Sequence, residues 1–252
     1  MIMIMLKEST GNMYEFITHT WNPIVGRCYH NCKYCYAMHK YGQELKEGIR
    51  LNGDCFKDNF GTGKFIFVGS GIDIFAKDIP DRWIKKVLDY CYRDNTDLFG
   101  ARNRFLFQSK NPRRILDFIK HNVFQSSVVC TTIETNRNYP SIMNNAPAMK
   151  DRADAMNMIA SKGIPTYLTI EPIMDFDLKE LIDLIQLCHP EQINIGANSD
   201  RNIRLPEPTA EKIQLLINSI NDYYKVELKS NLARLLKNNH DYAILHEELE
   251  LL

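Results

Sequence analysis

Short runs of β-branched and aromatic residues alternate along the chain with longer segments of helical periodicity. This alternation predicts repeated βα units with parallel strands. In the segment 80–94, Ile84, Val87, Leu88 and Cys91 share one face of the predicted helix. The predicted strand-bearing segments are 14–18, 64–75, 104–110, 127–135, 165–175 and 192–200, and 225–236 forms a further, shorter unit.

Polar or glycine-bearing stretches follow the predicted strands: "GSGID", "SKNPR", "TIETNR", "EPIMD" and "GANSD". Parallel strands of a barrel place their carboxyl ends on one rim, so these loops are expected to meet at one mouth. An open doubly wound sheet also collects strand ends at one edge. The absence of a "GxGxxG" turn after the first strand favours the barrel.

The chain has 252 residues and no low-complexity break, which predicts a single domain over 1–252. Lys plus Arg and Asp plus Glu each total 31, so no global field attracts the protein to nucleic acid or membrane. The apolar start "MIMIMLK" is too short for a signal-peptide core, and no run reaches the length of a membrane span. We therefore expect a cytoplasmic protein without membrane association, in which clustered cysteines indicate metal or redox chemistry.

Cys28, Cys32 and Cys35 follow the first predicted strand with the spacing C-x3-C-x2-C. A loop of this length can hold three corners of a [4Fe-4S] cluster and leave the fourth iron open for a substrate. A zinc site of three cysteines with His30 or another histidine is the alternative. Such sites usually pair two short cysteine knuckles, and a second knuckle is absent from this sequence.

The segment "CYHNCKYC" resembles the signature of the radical S-adenosylmethionine (SAM) enzymes, including the aromatic Tyr34 before the third cysteine. The resemblance implies a partial (β/α)6 TIM-like barrel in the α/β class. The barrel core is expected over about 14–225, and a C-terminal helical extension over about 226–252. It also implies that a reduced [4Fe-4S] cluster cleaves SAM to methionine and a 5′-deoxyadenosyl radical, which abstracts hydrogen from a substrate.

A narrower similarity rests on "TWNPIVG", "CYA", "GSGIDIF", "SKNPRR", "IET", "IEP" and "GANS". These stretches are similar to a phage-associated branch of radical SAM proteins without assigned substrates. The pattern is also distantly similar to spore photoproduct lyase, through "CxxxCxxCY" and "TTIET". Neither similarity assigns a substrate.

The resemblance also implies a set of residues that bind SAM at the strand ends. Where many family members have "GGE", this chain has "GSGID", so Asp73 either replaces the acid or caps the next helix. Lys110 is the candidate cation for the SAM carboxylate, or a cation that merely reaches outward at the rim. The complete set of candidate SAM-binding residues is Tyr34, Gly69, Ser70, Asp73, Ser109, Lys110, Glu134 and Asn198.

Two further residues are candidates for direct roles in catalysis. Cys130 lies within a predicted strand, where its thiol either returns a hydrogen atom to a substrate radical or packs in the core. Glu171 ends the next strand and either faces substrate or pairs with an arginine. The basic run 101–114 favours either an anion contact or a solvated surface.

The predicted function is therefore SAM cleavage directed at an unassigned macromolecule, either a nucleic acid or nucleotide or a partner protein. A flavodoxin or ferredoxin is the expected reducing partner. A glycyl-radical activating enzyme is a second enzymatic reading. A non-catalytic iron–sulfur or zinc module that binds nucleic acid is the contrasting class.

Overall fold

The computed structural model describes residues 6–10, 13–40, 48–93, 102–200 and 202–236, with the backbone alone at 39 and 40. Its main sheet has eight strands in the described part of the chain. The strands of this sheet, in spatial order, are β1 (Lys7–Glu8), β2 (His19–Trp21), β5 (Phe65–Val68), β6 (Arg104–Gln108), β7 (Ser127–Thr132), β8 (Thr166–Ile170), β9 (Gln192–Ile195) and β10 (Lys225–Leu228). A separate antiparallel pair joins β3 (Ile24–Val25) to β4 (Arg50–Leu51).

The strands from β2 to β10 in the main sheet run parallel, and only β1 pairs in the antiparallel sense. Spatial order follows chain order, and the two edge strands do not pair with each other. The expected partial barrel in the α/β class is confirmed as a mostly parallel sheet that remains open. The carboxyl ends of the parallel strands therefore lie along one edge, as the polar loops predicted.

Helices follow the strands as the periodicity predicted. The helices are α1 (Tyr36–Lys40), α2 (Asp81–Arg93), α3 (Pro112–Ile115), α4 (Pro140–Met143), α5 (Met149–Ala160), α6 (Leu178–Cys188), α7 (Ala210–Ile220) and α8 (Ala233–Leu236). Short 3-10 turns occur at Gly53–Lys57, Leu116–Phe118, Asn122–Ser126 and Ser230–Leu232. The predicted face of α2 is buried at Ile84, Val87, Leu88 and Cys91.

Every residue of the central strands β5, β7, β8 and β9 is buried, which is typical of parallel strands covered on both faces. Alternate residues pack against the helices, as Phe105 and Phe107 of β6 do in the main core. The opposite face carries a second buried cluster that includes Phe65, Leu106 and Cys130. This second cluster lies on the face of the sheet opposite the helices, which we call the inner face.

The prediction of a first strand at 14–18 is wrong, because that strand begins at His19. Residues before it form a turn closed by a bond from the Ile17 amide to the Tyr14 carbonyl (3.0 Å). The aromatic side chains of this turn pack on the inner face, where the Tyr14 hydroxyl bonds Thr169 at 2.7 Å. Burial of these rings on the inner face, rather than strand pairing, accounts for the aromatic pattern.

The C-terminal region also departs from the expectation of a helical extension beginning at about 226. Residues 225–228 form β10, which pairs with β9 in parallel register. The 3-10 turn Ser230–Leu232 and α8 follow it. The remainder of the predicted extension, 237–252, lies outside the described residues.

Candidate active site

The cysteine loop connects β3 to α1 after the first parallel strand, β2. It consists of two consecutive turns, in which the Asn31 amide bonds the Cys28 carbonyl (3.2 Å) and the Cys35 amide bonds the Cys32 carbonyl (3.1 Å). Asn31 has a φ of 53°, a left-handed conformation that asparagine tolerates better than most residues. The Lys33 amide bonds the Ile142 carbonyl at 2.8 Å and so fixes the loop to α4.

The first two cysteine thiols of this loop lie among backbone groups. Burial, followed by the Asp73 charge, raises the pKa of Cys28 to about 12, against the opposing effect of the Asp73 and His30 amides. Cys32 is buried, with its sulfur 3.8 Å from the Met143 carbonyl oxygen, and burial raises its pKa as well. Bound metal would offset this cost, because a positive ion stabilises the thiolate form.

Asp73 ties the cysteine loop to the ends of β5 and β6. Its Oδ2 accepts from His30 Nε2 (2.7 Å), the Ser109 hydroxyl (2.9 Å) and the Lys110 amide (2.8 Å). Its Oδ1 accepts from the Phe75 amide at 2.9 Å, which closes a turn well before α2 begins at Asp81, so Asp73 does not cap the next helix. Burial, which raises the pKa of Asp73, is outweighed by His30 and these donors, so the pKa is lowered.

Glu134, just beyond β7, is fully buried and lies between two cations. Its Oε1 accepts from Lys110 Nζ (2.7 Å) and from the Tyr34 hydroxyl, and its Oε2 accepts from Arg152 Nη1 (2.9 Å). Burial alone would raise the pKa of Glu134, but Arg152 and Lys110 outweigh it and lower the pKa to about 2. We call Lys110, Glu134 and Arg152 the cysteine-side cluster.

The "GSGID" stretch begins at Gly69, which has a φ of 79° and donates its amide to the Trp21 carbonyl at 2.8 Å. Its next residue, Ser70, bonds Asn22 through its hydroxyl, and the Tyr36 hydroxyl donates to the Ser70 carbonyl at 2.5 Å. Asn22 also accepts from the Gly71 amide at 2.9 Å. The stretch is therefore fastened to the residues on both sides of the cysteine loop.

A second group of polar residues lies at the ends of β8 to β10. Glu171 pairs with Lys229 Nζ at 2.8 Å and accepts from Asn231 Nδ2 at 2.9 Å. Lys229 also lies over the Tyr14 ring, 4.7 Å from its centroid. We call Glu171, Lys229 and Asn231 the far-side cluster.

Asn198 is buried close to the far-side cluster and fastens its own loop. Its side-chain amide donates to the carbonyls of Asp200 (2.7 Å) and Ile203 (2.9 Å). Its own carbonyl accepts from Arg234. These bonds occupy the side-chain amide and the backbone carbonyl of Asn198. The predicted contact of Asn198 with SAM stays a prediction.

Cys130 lies on the inner face of β7 and is 1% exposed. Burial raises its pKa to about 12, so the group is a neutral thiol. The same inner face carries the Tyr14 hydroxyl and Thr169. Cys130 is therefore a core residue, and its role as a hydrogen-atom donor stays a prediction.

Comparison with known proteins connects this arrangement to a family. No protein-family model matches the chain. A curated protein, tRNA-2-methylthio-N(6)-dimethylallyladenosine synthase of Petrotoga mobilis, is 25% identical over 199 residues, which is 73% of this chain and 44% of that protein. The chain thus spans less than half the length of this curated relative.

Solved structures with the same fold include spore photoproduct lyase. A single-residue mutant of it has a TM-score of 0.62 at 12% identity, covering 87% of this chain and 78% of that one. Another mutant, with bound AdoMet and dinucleoside spore photoproduct, has a TM-score of 0.56 at 13% identity, covering 84% and 64%. SuiB of Streptococcus suis, bound to S-adenosylmethionine, has a TM-score of 0.51 at 10% identity, covering 84% and 47%.

The chain is a distant homologue of the radical SAM enzymes. These comparisons do not address the similarity to a phage-associated branch, which stays a prediction. No described helix is long and apolar enough to cross a membrane.

Two buried atoms bear on whether the residues fit the radical SAM cluster. Arg152 Nη2 and His30 Nδ1 are both buried near the cysteine loop without a hydrogen-bond partner. Within the described residues, no three His, Cys, Asp or Glu side chains are grouped to hold a single metal ion. Three soft thiol donors and two orphaned nitrogens beside them fit a cluster with acceptor sulfurs. His30 Nε2 is already bonded to Asp73, so the zinc alternative would have to use Nδ1.

Sequence reasoning about this radical SAM homologue missed Arg152, Lys229 and Asn231. Arg152 had a usable signal, because it shares the buried face of α5 with Met149, Ala153 and Met156. A charged residue on an apolar helical face indicates a buried ion pair. Lys229 and Asn231 follow a short strand without such a signal.

The basic run 101–114 does not form one surface in this radical SAM homologue. Arg104 begins β6 and lies over the Phe65 ring, whereas Lys110 follows the opposite end of the strand and pairs with Glu134. Arg114 bonds Asp81 and the carbonyls of Ala76 and Ile79. The run therefore gives little support to an anion-binding patch.

Proposed function

We propose that the protein is a radical SAM enzyme that holds one [4Fe-4S] cluster through Cys28, Cys32 and Cys35. One observation carries the proposal: the three cysteines follow the first parallel strand and adjoin a buried cluster with more cations than carboxylates around Glu134. A [4Fe-4S] cluster with thiolate ligands and a SAM carboxylate are both anionic, so surplus positive charge complements them.

When bound, the cluster supplies the electron that cleaves SAM to methionine and a 5′-deoxyadenosyl radical. The chain's own residues position and shield this chemistry. Lys110 is the cation for the SAM carboxylate, because it is 18% exposed while Arg152 holds Glu134 from the interior. Tyr34 carries an aromatic ring next to the third cysteine, with its hydroxyl fixed by Glu134.

The remaining proposed SAM contacts lie on loops that the structure fastens to the cysteine loop. Gly69 and Ser70 offer backbone groups beside Asn22, and Ser109 is positioned by Asp73. Asp73 acts mainly by positioning, since four protein donors occupy its carboxylate. Asn198 is the proposed contact from the strand end beyond the far-side cluster.

Cys130 and Glu171 are the proposed residues on the substrate side. A neutral thiol carries the hydrogen atom that a substrate radical can take, and Cys130 is protonated on the inner face of the sheet. Glu171 is placed with Lys229 at the ends of the later strands, away from the cysteines in sheet order.

The proposed substrate is a nucleic acid or nucleotide. The support comes from two relatives whose names specify tRNA modification and a dinucleoside photoproduct. The basic run 101–114 adds little, because Lys110 and Arg114 pair with carboxylates of the protein itself. A flavodoxin or ferredoxin is the proposed electron donor, since the cluster needs one-electron reduction.

The decisive experiment is anaerobic reconstitution with iron and sulfide, followed by dithionite and SAM and chromatography for 5′-deoxyadenosine. The wild type should release the nucleoside, and Cys32→Ala should lose both the cluster absorbance and the nucleoside. Cys188→Ala, which removes a buried thiol of α6, is the matched control and should retain both. A stoichiometric zinc ion, or a cluster with intact SAM, would support the non-catalytic module instead.

The substrate class is tested by adding tRNA, single-stranded DNA or an unrelated peptide to the SAM-cleavage assay. A nucleic-acid substrate should accelerate nucleoside release and acquire deuterium in D2O. Stimulation by a protein alone would contradict the nucleic-acid proposal and favour the glycyl-radical type of activating enzyme.

A further inference from the structure

Arg152 is a fully buried cation that is not among the proposed SAM-binding residues. It extends from α5 and is 0% exposed. Its Nε donates to the Pro147 carbonyl (2.8 Å), and its Nη1 donates to the Thr132 carbonyl and to Glu134 (both 2.9 Å). Its Nη2 is buried without a hydrogen-bond partner. An unsatisfied charged donor is costly, so a functional reason is expected.

The charges around Arg152 do not cancel. Glu134 contributes one negative charge, and Lys110 and Arg152 contribute two positive charges, so this group has a net charge of +1. Glu134 and Arg152 are both 0% exposed, where charges are screened less than at the surface. Asp73 lies on the Cys28 side of the loop and is unchanged in every variant below.

Tyr34 connects this group of charges to the cysteine loop. Tyr34 lies between Cys32 and Cys35 in the loop, and its hydroxyl bonds Glu134, the carboxylate that Arg152 also holds. A positive charge fixed beside an iron–sulfur cluster favours its reduced form, because reduction adds negative charge.

We propose that Arg152 raises the reduction potential of the cluster held by Cys28, Cys32 and Cys35, an inference that rests on the proposed function. Arg152 acts as a positioning residue through its charge on the Cys32 side. The redox step is a one-electron couple, in which the oxidised cluster gains one electron from an external reductant. The positive charge makes that electron easier to supply.

The test is a charge series at this group, measured on reconstituted protein without SAM. Wild type has a net charge of +1, Arg152→Gln has 0, Glu134→Gln has +2, and the double variant returns to +1. The midpoint potential is measured by dithionite titration with mediators and electron paramagnetic resonance. Iron and sulfide contents confirm that each sample holds a complete cluster.

At a fixed solution potential, the ratio of reduced to oxidised cluster in Arg152→Gln should fall roughly tenfold, which is about 59 mV for one electron. Glu134→Gln should shift the potential upward, and the double variant and Arg152→Lys should stay near the wild type. Arg234→Gln is the matched control, since Arg234 also pairs with a glutamate, Glu207, and has a buried unpartnered nitrogen, but contacts the loop of Asn198. Its potential should not move.

The two proposals fail in different ways. If the wild type assembles no cluster, the proposed function fails. If all variants assemble the cluster and keep one potential, only the role of Arg152 is overturned. If Arg152→Gln does not fold, Glu134→Gln still tests the inference, and an unshifted potential there overturns it. Weaker SAM affinity with an unshifted potential would place Arg152 in cofactor binding and likewise overturn it.

Discussion

The cysteine-side and far-side clusters occupy the same edge of one sheet but differ in charge balance. Around Glu134 two cations meet one fully buried carboxylate, whereas Glu171 pairs with Lys229 and accepts from the neutral Asn231. The far-side pair is also less buried, with side chains 15% and 10% exposed. The comparison shows one surplus cation around Glu134, beside a cysteine loop that also contacts the buried carboxylate of Asp73.

This difference has a physical consequence for what each cluster can bind. A buried group with surplus charge is stable only if its environment or a ligand compensates it. The cysteine-side cluster is therefore suited to an anionic ligand, which the proposed cluster and SAM carboxylate provide. The far-side cluster pairs one carboxylate with one cation and is suited to orienting a ligand without net charge.

The largest expected effect comes from removing the two carboxylates. Glu134→Ala leaves Lys110 and Arg152 facing each other in a buried site, and should reduce the free energy of unfolding by about 3–5 kcal/mol. Glu171→Ala removes a more exposed partner and should cost about 1–3 kcal/mol. Urea denaturation of the metal-free protein measures both. Equal losses would contradict the contrast between the clusters.

Glycine substitutions test how closely each cluster is packed. A Cβ at Gly69 would meet Ile74 Cγ2 at 2.5 Å, and its φ of 79° adds backbone strain. Gly69→Ala should therefore cost about 3 kcal/mol. A Cβ at Gly196 would lie 2.9 Å from Glu171 Cδ, so Gly196→Ala should cost about 1–2 kcal/mol through the far-side cluster.

Gly163→Ala is the control for the strain at Gly69. Gly163 has a φ of 75°, but a Cβ added at this position would have no heavy atom within 4 Å. Its substitution should therefore cost only the backbone strain, about 1 kcal/mol. A Gly69→Ala loss no larger than this in urea denaturation would show that the contact with Ile74 relaxes without cost.

Glu134 of the cysteine-side cluster should make the free energy of unfolding depend on pH in the acid range. The folded pKa of Glu134 is lowered to about 2 from an ordinary value of 4.5. The stabilisation of the folded state by ionised Glu134 is thus complete above the unfolded pKa, and it is lost as the pH falls toward the folded pKa. The wild-type advantage over Glu134→Gln should shrink by about 2 kcal/mol between about pH 6 and pH 3, in denaturant titrations. Parallel curves for the two proteins would contradict this.

The sequence was sufficient for the parts of the fold that depend on local patterns. The apolar face of α2 and the strands from β5 to β9 follow from side-chain periodicity, and the cysteine loop follows from its spacing. The turn at Tyr14 was mistaken for a strand, because an aromatic run that fills the inner face has the same composition as a strand. Composition alone does not distinguish a strand that pairs in a sheet from an aromatic turn that packs against the sheet.

The polar contacts of the site could be predicted only in part, because they join residues far apart in the chain. The strand ends identified Glu134 and Lys110 separately, but not their pairing or the third partner, Arg152. Asp73 was placed at the site with two alternative roles, of which the helix cap is wrong, because α2 begins only at Asp81. Such pairings depend on how helices lie over the sheet, which no local spacing encodes.

The smallest and most specific expected difference concerns the two lysines. Lys110 is 18% exposed and lies 5.1 Å from the centroid of the Tyr34 ring, while Arg152 and Tyr34 still hold Glu134 if Lys110 turns outward. Lys110→Met should weaken SAM binding to the reconstituted protein roughly tenfold, since a charged hydrogen bond is worth about 1.5–3 kcal/mol. The cluster absorbance should not change.

Lys229→Met is the matched control, because Lys229 pairs with Glu171 at the far-side cluster. Its SAM affinity by anaerobic equilibrium dialysis should equal that of the wild type. Weaker binding in Lys229→Met alone would place the SAM carboxylate at the far-side cluster and remove Lys110 from the cofactor site.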